Sequence, residues 1–294
     1  MSQNRATLIG MLAILLWSTI VGLIKIVSEG FGPVGGAAMI YTCGAILLWF
    51  TVGIPNLRHF PRRYLIWGSL LFVAYELCLS LSLGFSHNSK QAIEVGMVNY
   101  LWPALTIVLT VLVNKKKARW FIIPGILLSL VGIIKVLGGE QGIEIHEVIN
   151  NVSSNPLSYG LALIGAVIWA IYCVVTQRIA KGNNGVTIFF TLVALVLWGH
   201  FFTTSQPSFH LSYGVWISLG FAAIAMGFGY AAWNIGILHG NVTALATASY
   251  FIPVISAMIA SFILDSPLNL NFWQGAAMAS IGSLICWLST KSNV

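Results

Sequence analysis

The stretch Tyr-Leu-Trp-Pro at residues 100–103 recurs 150 positions later as Tyr-Phe-Ile-Pro at residues 250–253. Both copies lie inside apolar segments. Three further pairs have nearly the same separation: Gly125 and Gly275, Gly132 and Gly282, and Trp17 and Trp169. The offset is 150 for both glycine pairs and 152 for the tryptophans. Agreement at several sites indicates that the chain is an internal duplication.

The composition places the chain in a membrane. Hydrophobic residues make up 58% of the 294 residues, only 7% are charged, and the mean hydropathy is +0.89. Soluble domains of this length do not have such a composition. Between Lys181 and Asp265 the sequence contains no Asp, Glu, Lys or Arg. Several membrane spans must therefore lie in that stretch, since each needs about 20 apolar residues.

The apolar segments predict an all-α membrane protein, because helices satisfy their own backbone hydrogen bonds in lipid. We predict ten transmembrane helices, at roughly residues 6–27, 33–53, 65–85, 91–113, 120–138, 156–179, 186–204, 212–236, 241–264 and 271–290. Five helices per copy is an odd number, so the second copy is inverted in the membrane, as in many transporters. The predicted organisation is a first repeat over residues 1–140, a periplasmic connection over 141–155 and an inverted second repeat over 156–294.

Basic residues fall in alternate connections between the predicted helices, and the positive-inside rule assigns those connections to the cytoplasm. They are Arg5, Arg58, Arg62, Arg63, Lys115, Lys116, Lys117, Arg119, Arg178, Lys181 and Lys291. Both termini are therefore predicted to be cytoplasmic. The formal net charge of +7 is spread over short loops, so it indicates membrane topology rather than a nucleic-acid surface.

The link between predicted helices 3 and 4 is longer than its counterpart in the second copy. Tyr75 and Tyr100 are 25 positions apart, whereas Tyr230 and Tyr250 are 20 apart. The difference indicates an insertion of about five residues near 86–90 on the outer side, judged against the short connections usual in bundles.

Enzyme and metal motifs are missing. The sequence has no GxxxxGK[ST], no HExxH and no GxSxG. Its four cysteines form no CxxC and have no histidine at metal-ligand spacing. We therefore expect no catalysis, no cofactor and no bound metal. A membrane scaffold or sensor is the remaining class, but it calls for a soluble domain, and no predicted loop exceeds about 17 residues. No obligatory protein partner is indicated beyond the lipid bilayer.

Glu76 is the one carboxylate that lies plainly at membrane depth. An ionisable group there costs roughly 2.5 to 3.5 kcal/mol on insertion, so it usually has a function or a partner. In the functional interpretation Glu76 faces a central cavity, where it binds a substrate amine or takes up a proton. The alternatives are a neutral, hydrogen-bonded structural side chain or an ion pair with Lys25 or Lys135.

Three other charged residues lie near the outer ends of predicted helices. Lys25 and Lys135 can extend their long side chains to the headgroups, or else point inward and attract a carboxylate. Glu94 lies four residues after Lys90, a spacing that favours a surface ion pair on one helix face.

Tyrosine and tryptophan occupy mid-span positions, away from the interfacial belts where they usually lie. They are Trp17, Tyr75, Tyr100, Trp102, Trp169, Tyr172, Tyr230, Trp233 and Tyr250. Buried Tyr and Trp need partners for their OH and NH groups, which a polar cavity supplies. Together with Asn99 and Asn234 they predict a substrate pathway lined by helices 1, 3, 4, 6, 8 and 9. The alternative is that some of them are ordinary bundle core.

Pro103 and Pro253 follow the paired tyrosines at equivalent depth. A proline inside a helix removes a backbone hydrogen bond and kinks the helix. Because the two kinks are related by the duplication, we predict paired gates that act at opposite faces of the membrane.

The sequence resembles the drug/metabolite transporter superfamily and its EamA-type exporters. The resemblance rests on Trp early in the first helix of each half, on Tyr-x-x-Pro in the fourth, and on three longer stretches. These are Gln-Ala-Ile-Glu-Val-Gly-Met-Val-Asn-Tyr-Leu-Trp-Pro at residues 91–103, Tyr-Ala-Ala-Trp-Asn at 230–234 and Gly-Ile-Leu-His-Gly-Asn-Val-Thr at 236–243. They are most similar to the aromatic amino-acid exporters of that family.

The resemblance implies a protein of the bacterial inner membrane that exports phenylalanine, tyrosine and tryptophan, and it also implies passage of the dication methyl viologen. The first hypothesis is thus a secondary transporter of aromatic amino acids that works by alternating access. The alternative is a broad exporter of cationic drugs, held by cation–π contacts in the aromatic cavity. Proton antiport and facilitated export both fit a single membrane carboxylate.

Overall fold

The computed structural model describes residues 1–114, 119–204 and 208–290, without the side chains of residues 114, 234, 237, 238, 242, 243, 246 and 247. All regular secondary structure in these residues is helical. The α-helices are α1 (Gln3–Ser18), α2 (Ile20–Phe31), α3 (Pro33–Thr51), α4 (Ser69–Gly84), α5 (Ser89–Asn99), α6 (Trp102–Asn114), α7 (Ile122–Leu137), α8 (Ile145–Ser154), α9 (Pro156–Ile179), α10 (Val186–Thr203), α11 (Tyr213–His239), α12 (Val242–Ser249), α13 (Ile252–Ile263) and α14 (Leu270–Ser289). Residues 115–117 and 291, part of the basic pattern, lie outside the described residues.

Six helical segments in the described chain are long and apolar enough to cross a membrane. They are Pro33–Thr51, Tyr64–Gly84, Ser89–Val113, Pro156–Ile179, Val186–Thr203 and Tyr213–Trp233. The pair α1 and α2 makes a seventh candidate, bent by 42°. Large apolar side chains such as Phe50 and Phe262 are exposed, as lipid contact requires. The predicted class, an all-α membrane protein, is confirmed.

Two helix breaks fall at the repeated Tyr-x-x-Pro stretches. α5 ends at Asn99 and α6 begins at Trp102, while α12 ends at Ser249 and α13 begins at Ile252. Each proline is therefore the second residue of a helix, where its missing N–H removes no helical bond. The turns before the two prolines match. The Leu101 N–H donates to the Val98 carbonyl at 3.2 Å, and the Phe251 N–H donates to the Ala248 carbonyl at 3.1 Å.

Two features of the fold were not predicted. A single helix was expected over residues 6–27, but the chain breaks at Thr19 between α1 and α2. The connection over residues 141–155 was read as a loop, but it contains the helix α8. α8 packs against the end of α7 and the start of α9, and therefore covers one end of the bundle.

α7 and α14 pack closely against each other at the four repeated glycines. A Cβ atom on Gly132 would lie 2.6 Å from the Gly275 carbonyl oxygen, and one on Gly282 would lie 2.5 Å from the Gly125 carbonyl oxygen. The two backbones are thus in contact, which only residues without a side chain permit. α14 also packs against α6 and α13.

Candidate functional site

A cavity of about 40 Å³ lies among the helices that were predicted to line the pathway. Its walls, the central cavity hereafter, are Trp17, Ile20, Tyr75, Leu79, Tyr100, Trp102, Trp169, Met226, Tyr230 and Ile252. Six of these ten side chains are aromatic. The volume holds about three water molecules. An amino acid can therefore bind only after side chains or helices move apart.

The sequence missed four lining residues, all of them aliphatic or Met. Three of them lie three or four residues from a lining aromatic residue: Leu79 one turn after Tyr75 in α4, Met226 one turn before Tyr230 in α11, and Ile20 just across the break at Thr19 from Trp17. Helical spacing was thus the signal that could have found them. Ile252 follows the helix break before Pro253 and offered no such signal.

One wall of the central cavity is a stack of rings. Trp169 stacks on Tyr75 with ring centroids 4.4 Å apart and on Tyr172 with centroids 4.8 Å apart. Phe72 and Trp102 meet the same indole edge to face, at 6.2 and 6.4 Å. Such offset and edge-on pairs each add about 0.5 to 1.5 kcal/mol beyond the buried area. The Trp169 wall is therefore held from several sides.

The opposite wall contains Trp17, which meets the Tyr230 ring edge-on at 5.0 Å and lies 5.3 Å from the Trp233 ring. Its indole Nε1 is buried and has no hydrogen-bond partner in the described chain. The indole fits because residue 229 is glycine: a Cβ atom there would lie 2.6 Å from Nε1. A buried donor without an acceptor costs about 1 to 3 kcal/mol. The Trp17 ring thus lines the cavity, while its unused N–H is buried against Gly229.

Glu76 is fully buried behind the central cavity and does not line it. Tyr41 donates a hydrogen bond to Oε2 at 2.5 Å, and Tyr230 donates one to Oε1 at 2.6 Å. Ser80 in turn donates to the Tyr41 hydroxyl at 3.1 Å, so the Tyr41 proton is directed at the carboxylate. Hydroxyl donors at both oxygens suit an ionised carboxylate. Tyr230 connects this charge to the cavity.

The ion pairs considered for Glu76 do not form in the described chain. Lys25 is 4% exposed, pairs with Glu29 at 3.2 Å and donates to the Ser86 carbonyl at 2.6 Å. Lys135 is half-buried and has no described carboxylate within 4.0 Å. The expectation that Lys25 extends to the headgroups is also wrong, because its side chain is buried and its ammonium group is held by Glu29 and the Ser86 carbonyl.

Asn99 and Tyr100 mark the end of α5. The Asn99 Nδ2 donates to the Ala162 carbonyl at 3.3 Å, and its Oδ1 lies 3.5 Å from the Tyr75 hydroxyl. Asn99 therefore supports Tyr75 from behind and does not line the cavity. Tyr100 does line it and donates to the Ser256 hydroxyl of α13 at 2.9 Å. The two broken helices are thus joined directly by this hydrogen bond.

Three predicted aromatic residues stand away from the cavity. Tyr172 lies behind Trp169, and Trp233 lies behind Trp17. Tyr250 packs against Trp287, with ring centroids 6.2 Å apart, in a separate apolar cluster. The side chain of Asn234 lies outside those described. No three His, Cys, Asp or Glu side chains in the described residues come together as a metal site.

Glu94 contradicts its predicted surface pair with Lys90. It is 3% exposed, and its Oε2 accepts hydrogen bonds from Asn151 of α8 and Tyr159 of α9, both at 2.8 Å. The sequence could not show this burial, because it depends on the cover that α8 provides.

The EamA-like transporter family matches this chain twice, over residues 4–138 and 156–288. The aromatic amino acid exporter YddG of Salmonella typhimurium is 58% identical over 99% of both chains, and that of Escherichia coli is 57% identical over the same share. The exporter of that name from Ancylobacter novellus is 28% identical and covers 88% of both chains. A solved structure with a TM-score of 0.68 and 22% identity, covering 98% of both chains, shares the fold. The chain therefore belongs to the EamA-like transporter family.

Proposed function

We propose that this protein exports aromatic amino acids across the bacterial inner membrane as a secondary transporter. The central cavity carries the proposal, since six of its ten lining side chains are aromatic and a buried carboxylate lies one residue behind it. The full-length relatives named as aromatic amino acid exporters support it. An aromatic ring gains stacking contacts in this cavity that an aliphatic side chain cannot make.

The Trp17 N–H is buried and has no partner in the described chain. In the proposed complex the movement that opens the cavity exposes this N–H, and the substrate carboxylate accepts a hydrogen bond from it. The substrate ammonium donates to the Tyr230 hydroxyl. That hydroxyl already donates its own proton to Glu76, and a hydroxyl that donates to an anion becomes a better acceptor. The substrate ring then lies against Trp169 and Trp102.

We also propose that the chain crosses the membrane ten times as two inverted five-helix repeats, residues 1–140 and 156–294, joined by the periplasmic segment 141–155. The double family match supports this organisation. So do the helix contacts: α1 packs along α11 and α4 packs along α9, and these pairs interchange when the two halves are exchanged. In this topology both termini are cytoplasmic.

Transport by such a pair of repeats requires the site to open to each side in turn. The cavity of about 40 Å³ is too small for an aromatic amino acid in this conformation, so export needs a further movement. The breaks before Pro103 and Pro253 are the proposed hinges, because backbone bonds are already missing there. The hydrogen bond from Tyr100 to Ser256 joins the two hinges across the bundle.

The experiment is efflux of labelled phenylalanine from proteoliposomes, with unlabelled tryptophan, leucine and methyl viologen as competitors. We expect tryptophan to compete and leucine to compete poorly. Trp169→Ala should abolish the selectivity, whereas Trp120→Ala, at a 79% exposed residue, should retain it. Strong methyl viologen transport without phenylalanine efflux would instead establish a cationic-drug exporter. Repeating the assay with a pH gradient separates proton antiport from facilitated export.

A further inference from the structure

A second, larger cavity of about 660 Å³ lies at the end of the bundle that α8 covers. This vestibule is formed by the α4–α5 link, the start of α5, the end of α7 and α8. Leu137 is the one large apolar side chain among its described lining residues. The others include Lys90, Glu94, Glu140, Gln141, Glu147 and Asn150. The vestibule walls are thus mostly polar or charged, whereas the walls of the central cavity are mostly aromatic.

The vestibule wall holds a fixed carboxylate. The Glu94 Oε2 is held by Asn151 and Tyr159 at 2.8 Å, and Asn151 Nδ2 is itself fixed by a 2.9 Å bond to the Leu137 carbonyl. The second oxygen, Oε1, accepts no hydrogen bond from a described residue, although Glu94 lines the vestibule and is 3% exposed. A desolvated carboxylate with one oxygen unused is a strong acceptor for an ammonium group.

A cation faces the same space from one helical turn away. Lys90 lines the vestibule, is exposed, and makes no ion pair with a described carboxylate. Glu94 follows it by four residues on α5, a spacing at which opposite charges normally meet. Here both line one cavity without forming an ion pair, so a ligand can bind between them. The exposed Glu140 and Glu147 add negative charge, which favours an ammonium group at the Glu94 end.

We propose that the vestibule is a second binding site that takes an α-amino acid as its zwitterion. The ammonium group binds the Glu94 Oε1, and the carboxylate binds the Lys90 Nζ. Because the walls are polar, the site recognises the amino-acid backbone and does not select the side chain. The proposal deepens the proposed function: on the proposed topology the vestibule lies on the periplasmic side, where an exported amino acid would bind after leaving the central cavity.

The test uses alanine, which carries the zwitterion without an aromatic ring. Binding to the purified full-length protein in nanodiscs is followed by saturation-transfer-difference NMR, which suits weak ligands. Glu94→Gln and Lys90→Gln should each weaken alanine binding by about tenfold or more, since each removes one charge-assisted contact. Glu144→Gln, an exposed residue of the same connection, should leave it unchanged. Alaninamide, which lacks the carboxylate, should bind as weakly as alanine binds to Lys90→Gln.

Absence of alanine binding to the wild type, or equal binding to Lys90→Gln, overturns the proposal. Lys90 is exposed and unpaired with any described carboxylate, so that variant should fold normally even if Glu94→Gln does not. Equal binding of alanine and alaninamide would mean a simple cation site and would also overturn it. The protein could bind alanine in a way that depends on Glu94 and Lys90 and yet fail to export phenylalanine. That result would contradict the proposed function and leave the vestibule site standing.

Discussion

Trp17 and Trp169 occupy equivalent positions in the two halves, yet their surroundings differ. Trp169 lies in the unbroken helix α9 and stacks on Tyr75 and Tyr172. Trp17 lies two residues before the break at Thr19, and its N–H has no partner in the described chain. One tryptophan is thus fixed as a wall, and the other has a free donor beside a bend. At this pair of positions the second half contributes a fixed aromatic wall, and the first half contributes a ring beside a helix break.

The neighbouring residues give the physical reason for the difference. Ser18 donates to the Ile14 carbonyl and Thr19 to the Leu16 carbonyl, both at 2.7 Å. Side-chain hydroxyls that bond to helix carbonyls compete with the backbone and bend the helix. The corresponding residues after Trp169 are Ala170 and Ile171, which have no hydroxyl.

The same asymmetry applies to charge. Tyr75 and Tyr230 are counterparts that both line the cavity, but Tyr75 is followed by Glu76 and Tyr230 by Ala231. At this pair of equivalent positions only the first half has a carboxylate, and Tyr230 of the second half donates to it. The carboxylate of Glu76 lies in the first half, and Tyr230, which links it to the cavity, lies in the second half.

The largest effect is expected at the fixed wall. Trp169→Ala removes the ring that Tyr75, Tyr172 and Phe72 pack against, so we expect a loss of about 3 to 5 kcal/mol in the free energy of unfolding. The measurement is thermal unfolding of the purified protein in detergent. Trp120→Ala, at an exposed site, is the control. Equal losses in both variants would contradict the role of the Trp169 stack.

Trp17→Phe should show a different kind of loss. It keeps an aromatic ring and removes the N–H together with part of the indole, so we expect a smaller loss of stability than for Trp169→Ala. We also expect a rise of about tenfold or more in the KM for phenylalanine, as for a lost hydrogen bond to a charged acceptor. Phenylalaninamide, which has no carboxylate, should be handled alike by the wild type and the variant. Trp169→Phe is the matched variant and should not discriminate between the two substrates. A uniform loss for both substrates in Trp17→Phe would contradict the carboxylate contact.

Glu76→Gln keeps the size of the side chain, removes its charge and replaces one of its two acceptor oxygens with an NH2 donor. The Tyr230 hydroxyl is then less polarised, so we expect phenylalanine transport to weaken by about fivefold through its ammonium contact. Competition by 3-phenylpropionate, which lacks the ammonium group, should not change. Tyr41→Phe serves as a comparison, because it removes one donor to Glu76 while the charge and the Tyr230 bond stay. Equal weakening of both ligands would assign Glu76 a purely structural role.

Some parts of the fold and of the candidate site could be predicted from the sequence. The breaks near residues 100 and 250 follow from proline chemistry, which local sequence displays directly. The break at Thr19 was missed because hydropathy does not register a hydroxyl that bonds to a carbonyl, although the contrast between Ser18-Thr19 and Ala170-Ile171 was visible. Six lining aromatic residues were predicted from depth alone, because large amphipathic rings at mid-span need a cavity or a partner.

Other parts depended on packing that no local pattern encodes. The sequence predicts a surface ion pair between Glu94 and Lys90. Glu94 is buried instead, because it bonds to Asn151 of α8, and that helix lies in a segment that was predicted to be a loop. Glu76 was placed at the cavity, whereas the fold inserts Tyr230 between them. In both cases a partner more than fifty residues away decides the environment of the carboxylate.

The smallest effect is expected when the two residues at the bend between α1 and α2 are replaced by residues like their counterparts in the second half. Ser18→Ala with Thr19→Ile removes both side-chain bonds to helix carbonyls, so α1 and α2 should align more closely than the present 42°. Spin labels at Leu8 and Glu29 would report the change as a longer distance between the helix ends. If bending at this site accompanies opening, export should slow by about two- to fivefold, equivalent to roughly 0.5 to 1 kcal/mol in the barrier. The reciprocal variant, Ala170→Ser with Ile171→Thr, should leave the distance between the labels unchanged. A straightened α1–α2 pair with unaltered export would place the moving hinge elsewhere, at the breaks before Pro103 and Pro253.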